Sequence, residues 1–307
     1  MISPPLSTPP AGGRQPPLSA PPSGITFDAM TRITPLPDRA VLAMDGEDRV
    51  TFLQGLVSAD IAAIAPGAAA WAALLTPQGK WIADFFVVND GARLLLDVEA
   101  AQAEAITTRL MRFRLRAKVA MAPTGLAVSA GWDGPAPPGD LCFADPRLPQ
   151  AGFRILSAEP RGTDPFAAWD AHRIALGLPD GSRDLDAEKS VLLEAGFDEL
   201  AGVSWTKGCW MGQELTARTK YRGLLKRRLC PVAITGPVPP RGAPLLNDSG
   251  AEMGEMRSGT DGIGLALLRL AAIEDGAPLT TGTSRLTPRV PGWMRVLAQP
   301  VDQGSLE

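Results

Sequence analysis

Runs of apolar residues separated by short turns predict a set of strands in the first half of the chain. The segment RAVLAMDG (39–46) has the character of a strand that enters a turn at Asp45-Gly46. Further on, WAALLTPQGKWIADFFVVNDGARLLLDV (71–98) contains three apolar runs, which turns at 77–79 and 89–91 separate. Three neighbouring strands are therefore expected between residues 71 and 98.

Helical spacing flanks these strands on both sides. Apolar positions recur at helical intervals in EDRVTFLQGLVSADI (47–61), and Ile106, Leu110 and Phe113 follow at i, i+4 and i+7 within a second predicted helix, 99–117. Basic residues occupy the opposite positions of that second helix: Arg109, Arg112, Arg116 and Lys118. Two helices with antiparallel strands between them define an α+β fold.

The second half of the chain predicts a further subdomain and a barrel. Glycine and proline crowd residues 130–152, and a helix in DPFAAWDAHRIAL (164–176) ends at Gly177. From Arg228 onward, short apolar segments cut by Gly, Pro and Asn-Asp are typical of a small β-barrel or sandwich. We therefore expect an α+β core at 25–228, with a second subdomain at roughly 120–165, and a C-terminal antiparallel β-barrel at 229–300.

Composition narrows the class of protein. The net charge of −3 offers no overall basic field, so direct nucleic-acid binding is not expected. Three widely spaced cysteines indicate a reducing compartment, and a single histidine without a CxxC pair excludes a conventional zinc site. The most apolar run is broken by Pro66 and Gly67 and is too short to cross a bilayer. Four Pro-Pro pairs predict a disordered arm at 1–24. We expect the protein to be cytoplasmic and monomeric.

The segment KGCWMGQE (207–214) is the strongest candidate for a functional site. Cys209 lies in a turn between two glycines, just before a helix predicted to run from Gly212 to Gly223, with Lys207 two residues away. A helix N-terminus and a nearby ammonium both favour the thiolate form of a cysteine. Glu214 can pair with Arg218 one turn later. Residues 207–228 carry seven basic residues and one acid, a local charge of +6. An inert, packed cysteine is the competing interpretation.

This segment and its surroundings resemble the YgfZ family of folate-binding proteins, which are relatives of the aminomethyltransferase (T-protein) of the glycine cleavage system. Trp210 stands where the family's K-G-C-[FY]-x-G-Q-E motif has Phe or Tyr, and the aromatic ring is kept. The resemblance covers roughly residues 35–270, and it includes FLQGLVSADI (52–61), LLTPQGKWIADF (74–85), FDELAGVSW (197–205), LTARTKYRGLLKRRL (215–229), AEMGEMRS (251–258) and GLALLRL (264–270).

The resemblance implies a multidomain fold with a ferredoxin-like α+β core that binds tetrahydrofolate. It implies a role in the assembly or repair of iron–sulfur clusters, with cluster-assembly proteins and client enzymes such as tRNA-thiolating radical proteins as partners. Cys209 is then the essential cysteine, with Lys207 and Glu214 as further catalytic residues. The residues implied for cofactor binding are Trp169, Gly208, Gly212, Gln213 and Arg39. Packing in a helix core is the alternative for Trp169, whose ring could otherwise stack on the pterin.

Two departures from the related T-protein weigh against aminomethyl transfer, the alternative function, and a further departure concerns the folate-binding family itself. Arg39 replaces a second folate-contacting tryptophan of some members, and it could hold the folate glutamate tail or lie on the surface. Ala175 stands where the T-protein has a pterin-binding glutamate, and no aspartate aligns with its catalytic one. The basic run RLMRFRLRAK (109–118) could meet a polyglutamyl tail or RNA, but an exposed helical face is the simpler interpretation.

Overall fold

The computed structural model describes residues 31–296, so the arm predicted at 1–24 lies outside the described residues. The helices are α1 (Arg49–Gln54), α2 (Ala103–Met111), α3 (Phe166–Ala175), α4 (Gln213–Tyr221) and α5 (Leu270–Asp275). The strands are β1 (Arg32–Pro35), β2 (Arg39–Asp45), β3 (Ala69–Leu75), β4 (Trp81–Asn89), β5 (Leu94–Glu99), β6 (Ala120–Pro123), β7 (Ala127–Trp132), β8 (Leu141–Ala144), β9 (Phe153–Ser157), β10 (Arg227–Thr235), β11 (Pro244–Leu246), β12 (Glu252–Thr260), β13 (Ile263–Arg269), β14 (Leu279–Thr281) and β15 (Ser284–Pro288).

The three predicted neighbouring strands, β3, β4 and β5, lie side by side from one edge of a five-stranded antiparallel sheet to its middle. Its strand order is β3-β4-β5-β2-β6. Phe85 and Val87 of β4 join a cluster with helices α1 and α2, whereas Phe86 and Val88 join the cluster on the other face. Successive side chains of a strand point to opposite faces, so a strand covered on both sides needs an unbroken apolar run. This double burial explains why the sequence is not alternating here.

A four-stranded sheet and a barrel complete the fold. The four-stranded sheet has the order β1-β7-β9-β8, so the first described strand pairs with a later part of the chain. The barrel runs β10-β13-β12-β11-β14-β15, and pairing of β10 with β15 closes it. Closure leaves no free strand edge for unwanted pairing. The predicted α+β class and the C-terminal antiparallel barrel are confirmed.

The second predicted helix is shorter than its sequence pattern indicates. Helix α2 ends at Met111, and residues 112–118 form turns instead of the helical face predicted to 117. Strand β6 pairs with β2 from the Asp45–Ala120 pair onward, so the chain has to reverse direction within a few residues. Phe113, the third residue of the predicted apolar stripe, is consequently 41% exposed. The pairing of β6 with β2 therefore ends helix α2 earlier than the apolar pattern predicts.

Arg173 connects the core to the barrel. This side chain is 1% exposed and donates to Asp170 at 2.7 Å and to Asp184 at 2.7 Å. Its remaining nitrogen donates to the hydroxyl of Ser258 in β12 at 2.8 Å. The guanidinium thus pairs with two buried carboxylates near helix α3, of which Asp170 is shared with Arg183, and it fixes a barrel strand against them.

We predict that Arg173→Ala lowers the free energy of unfolding by about 3–5 kcal/mol, because the buried carboxylate of Asp184 loses its counter-charge. Chemical denaturation measures the effect. The control is Arg161→Ala, since Arg161 is half exposed in its pair with Asp140 and its loss should cost less than about 1 kcal/mol. Equal unfolding curves for the two variants would contradict the assigned role of Arg173.

Candidate functional site

Cys209 is the accessible thiol of the chain. Among its three cysteines, Cys142 is partly buried, Cys230 is buried and Cys209 is exposed. Burial raises the pKa of Cys230, in the barrel, to about 11. A thiol must be both accessible and deprotonated to act as a nucleophile or a metal ligand. Cys209 therefore remains the candidate, and it lies in the segment 204–212, named here the cysteine loop.

Lys207 binds the cysteine loop to the segment that follows helix α1. Its Nζ donates to the carbonyl oxygens of Gln54 at 2.7 Å, Val57 at 2.7 Å and Ala59 at 2.6 Å. An ammonium has three N–H donors, and here each one meets a carbonyl. Burial lowers the pKa of Lys207 to about 8, while Asp60 acts in the opposite direction. The ammonium is thus engaged by the backbone, and it makes no hydrogen bond to Cys209 among the described residues.

Backbone hydrogen bonds add to the attachment of the cysteine loop. The N–H of Ser204 donates to the carbonyl of Ser58 at 3.0 Å, and the N–H of Met211 donates to the carbonyl of Gly55 at 3.1 Å. The loop is therefore fixed on both sides of Cys209 to the same short segment, residues 54–59. The position of the thiol depends on that segment.

Gly212 fits a place that admits no side chain. Its φ is +84°, and a Cβ there would lie 2.9 Å from both the Cδ1 of Leu75 and the carbonyl oxygen of Thr76. Gly79, in the turn between β3 and β4, faces it with φ +69°, and a Cβ there would lie 3.1 Å from the carbonyl oxygen of Gly212. Only glycine combines this conformation with this close approach. Two distant glycines thus bring the β3–β4 turn against the cysteine loop.

Gln213 fixes the C-terminal end of the cysteine loop by hydrogen bonds, and Gly208 leaves the surface next to Cys209 uncovered. The Oε1 of Gln213 accepts the N–H of Trp210 at 3.3 Å, while the N–H of Gln213 donates to the carbonyl of Trp210 at 3.2 Å. Trp210 is 5% exposed, so its ring is an anchor. Gly208, by contrast, is exposed, and a Cβ there would meet no atom within 4 Å. The surface beside Cys209 is therefore open.

The charges around the loop differ from those predicted. Glu214 is exposed and forms no ion pair with Arg218, so that predicted pair is wrong. Three of the seven basic residues in 207–228 are neutralised by acids from 194–199, and the pairs are Lys220–Asp198, Arg227–Glu194 and Arg228–Glu199. The count of +6 overlooked these acids because they precede the segment. The basic surface is correspondingly weaker.

Trp169 and Arg39, predicted to contact the cofactor, are engaged by the protein itself. Trp169 is 2% exposed, and its ring lies 5.7 Å from that of Trp132 and 5.5 Å from the guanidinium of Arg154, centroid distances in both cases. Arg39 donates to the side chain of Asp97 at 2.7 Å and to its carbonyl at 2.6 Å. Neither residue presents a free face to a pterin or a glutamate tail in this structure. The other residues predicted to bind the cofactor lie in the cysteine loop (Gly208 and Gly212) or directly after it (Gln213). This loop packs against residues 54–59 and the β3–β4 turn.

Asp84 is a buried carboxyl group that the sequence analysis did not single out. Its two oxygens accept the indole N–H groups of Trp71 at 2.9 Å and Trp81 at 3.0 Å. Burial raises the pKa of Asp84 to about 6, although the Trp71 hydrogen bond and nearby arginines lower it. The sequence signal that could have identified Asp84 is an acidic residue inside the apolar run WIADFF (81–86), because a buried charge needs specific partners. Its surroundings make it a titrating group in the core.

No group of three or more His, Cys, Asp or Glu side chains within residues 31–296 is arranged to hold a metal ion. No helix in the same part of the chain has the length and apolarity that a bilayer crossing requires.

Comparison with known proteins identifies the family. Residues 226–296 match the family model described as the CAF17 C-terminal beta-barrel domain. The human iron-sulfur cluster assembly factor IBA57, mitochondrial, is 31% identical, and the match covers 84% of each chain. The homologue of this factor from Mycosarcoma maydis is 30% identical over 79% of this chain and 74% of its own. The chain belongs to the IBA57 family.

A solved structure supports the fold of this IBA57 family member. The glycine cleavage system aminomethyltransferase T from Bartonella henselae superposes with a TM-score of 0.69, covering 86% of each chain at 17% identity. At that identity the likeness concerns the fold alone. The predicted relation to the aminomethyltransferase fold is confirmed, and the narrower assignment to the YgfZ family stays a prediction.

The predicted cytoplasmic localisation is wrong. The human, mouse and Mycosarcoma maydis relatives are each named as mitochondrial proteins, which points to the mitochondrion instead. Targeting receptors recognise short address segments, and the composition of a folded domain does not encode them.

We predict that Lys207→Met lowers the free energy of unfolding by about 2–4 kcal/mol, because three buried carbonyls lose a charged donor. Urea denaturation checks this, and Lys189→Met, at an exposed position, should change stability by less than about 0.5 kcal/mol. If Lys207→Met left stability intact but slowed the reaction of Cys209 with iodoacetamide, the ammonium would act on the thiol instead.

We predict that Trp169→Ala lowers the free energy of unfolding by about 3–5 kcal/mol, as expected for a large aromatic ring removed from a core. Denaturation curves and calorimetric titration with tetrahydrofolate distinguish the two interpretations of this residue. A stable variant that had lost tetrahydrofolate affinity would show Trp169 to be a ligand contact.

Proposed function

We propose that the chain is an iron–sulfur cluster assembly factor in which the Cys209 thiol contacts the cluster during its assembly or transfer. Membership of the IBA57 family supports the role in cluster assembly, because the relatives carry that role in their names. The contact at Cys209 is the finer part of the proposal.

The observation that carries this finer part is one exposed thiol on an immobilised loop. Cysteine thiolates are the usual ligands of iron–sulfur clusters. Cys209 is exposed, the Lys207 ammonium and two backbone hydrogen bonds fix its loop, and Gly208 leaves the neighbouring surface open. These features suit a ligand that meets a second protein. A cysteine whose only role is packing would be covered, as Cys230 is.

A single thiol also defines the kind of role that is possible. A cluster needs several ligands, and residues 31–296 hold no group of three metal-binding side chains. The remaining ligands therefore come from another protein, either the one that delivers the cluster or the one that receives it. We propose cluster-assembly proteins and iron–sulfur client enzymes, such as tRNA-thiolating radical proteins, as these partners.

Tetrahydrofolate binding and the narrower YgfZ assignment rest on the sequence resemblance. Trp169 and Arg39 do not fit a bound folate in the present conformation, because protein groups cover them. No step of the proposed function passes through this cofactor. Aminomethyl transfer, the alternative function, has no observation of its own in its favour beyond the shared fold.

We predict that Cys209→Ser abolishes the function in cells. The measurement is the activity of an iron–sulfur tRNA-thiolating enzyme in cells with the wild-type chain, Cys209→Ser, Cys142→Ser or no copy. We expect Cys209→Ser to match the deletion, with at least a tenfold loss relative to wild type, and Cys142→Ser to keep wild-type activity, since its thiol is partly buried. Wild-type activity of the Cys209→Ser chain would refute the contact.

A further inference from the structure

Residues 112–118, named here the basic loop, display a leucine that folding does not explain. Leu115 is 89% exposed and its φ is +43°, in the left-handed region that disfavours L-residues with side chains. Phe113 is 41% exposed in the same loop. The leucine thus adopts an unfavourable backbone conformation, and residues 31–296 leave its side chain exposed. A partner surface would bury that side chain.

The basic loop also carries charge that the described chain leaves unneutralised. Arg112, Arg114 and Arg116 are exposed, and none of them forms an ion pair with a residue in 31–296. These arginines alternate with the apolar residues Phe113 and Leu115 along the basic loop. Opposite charges across an interface select the partner and speed its approach. An acidic surface with an apolar pocket is complementary to this pattern.

Helix α1 joins the basic loop to the cysteine loop. Asp48, which precedes the helix, accepts the N–H of Lys118 at 2.7 Å, and Glu47 pairs with the ammonium of Lys118. At the other end, Gln54 and Gly55 accept hydrogen bonds from the cysteine loop. Six helical residues span about 9 Å at a rise of roughly 1.5 Å each. An ordinary interface covers about 800 Å² on each partner, about 30 Å across, so one interface can reach both loops.

We propose that the basic loop is a docking surface for an acidic face of the protein that shares the iron–sulfur cluster with Cys209, with Leu115 entering an apolar pocket of that protein. The proposal rests on the function proposed above. A protein fits better than RNA, because Leu115, the most exposed apolar side chain of the loop, cannot stack on a base as Phe113 could, and its burial requires an apolar pocket. It fits better than a membrane, because one fully exposed leucine and one half-exposed phenylalanine bury little surface in a bilayer.

The test uses the full chain with the photocrosslinking residue p-benzoylphenylalanine in place of the exposed Thr206, three residues from Cys209, so that the thiol stays free, irradiated in extract from the source cells. Conjugates are identified by mass spectrometry, and only an identified iron–sulfur cluster protein, linked through a peptide near acidic residues, supports the proposal. We expect Arg114→Glu/Arg116→Glu to reduce the yield of that conjugate at least tenfold. The matched control, Arg285→Glu/Arg289→Glu, reverses the same number of exposed charges on the barrel and should keep the yield.

Leu115→Asn separates docking from folding. Asparagine tolerates the left-handed conformation better than leucine, so the thermal midpoint should stay equal or rise. The yield of the conjugate should nevertheless fall at least fivefold. A structural role for Leu115 would give the opposite pattern, a lower midpoint and an unchanged yield.

Three outcomes overturn the proposal in distinguishable ways. An unchanged yield of the iron–sulfur conjugate in all loop variants would remove the basic loop from the interface but leave the function of Cys209 standing. Absence of any iron–sulfur protein among the wild-type conjugates would count against both proposals. Binding of a 20-nucleotide single-stranded RNA, or of phosphatidylglycerol vesicles, that the Arg114→Glu/Arg116→Glu variant loses would assign the loop to that ligand instead.

Discussion

Three backbone carbonyls converge on the ammonium of Lys207, and the position of the exposed thiol depends on that convergence. The carbonyls of Gln54, Val57 and Ala59 would repel one another and stay unpaired without a central donor. A protonated amine offers three hydrogens from a single nitrogen, which suits three acceptors that converge on one point. Lys207 therefore contributes to the site by ordering backbone, and the cysteine beside it occupies a defined place on a surface that is otherwise a loop.

The hydrogen bonds of Lys207 also stabilise the neighbouring helix α1. A helix of six residues is not stable by itself, because the cost of nucleation exceeds the gain from so few hydrogen bonds. Contacts at both ends hold it, from Lys207 at its C-terminus and from Lys118 near its N-terminus. The cysteine loop and the basic loop are therefore attached to one small element. Strand β10 begins six residues after α4 ends, so the barrel is attached close to the same site.

The sequence predicts the fold better than it predicts the site. The apolar runs around WAALL and WIADFFVVN identified strands because they are short, contain aromatic or β-branched residues and are bounded by turn signals, as expected of strands buried on both faces. The helical pattern through Phe113 failed because strand pairing, decided by residues far away, ended α2 at Met111. At the site, the sequence identified the motif around Cys209 but gave Lys207 a different role. Hydrogen bonds between residues 150 positions apart leave no trace in a local pattern.

Gly208 and Gly212 lie four residues apart, yet they are subject to different demands. Gly212 is required by the fold, since any side chain there would collide with Leu75 and Thr76. Gly208 has empty space where a side chain would go, so the fold itself does not require a glycine there. A side chain at position 208 would thus stand next to the thiol without a steric clash in the fold. An altered chain could be abundant, soluble and correctly folded while being functionally inert, and a survey of protein levels would not detect the defect.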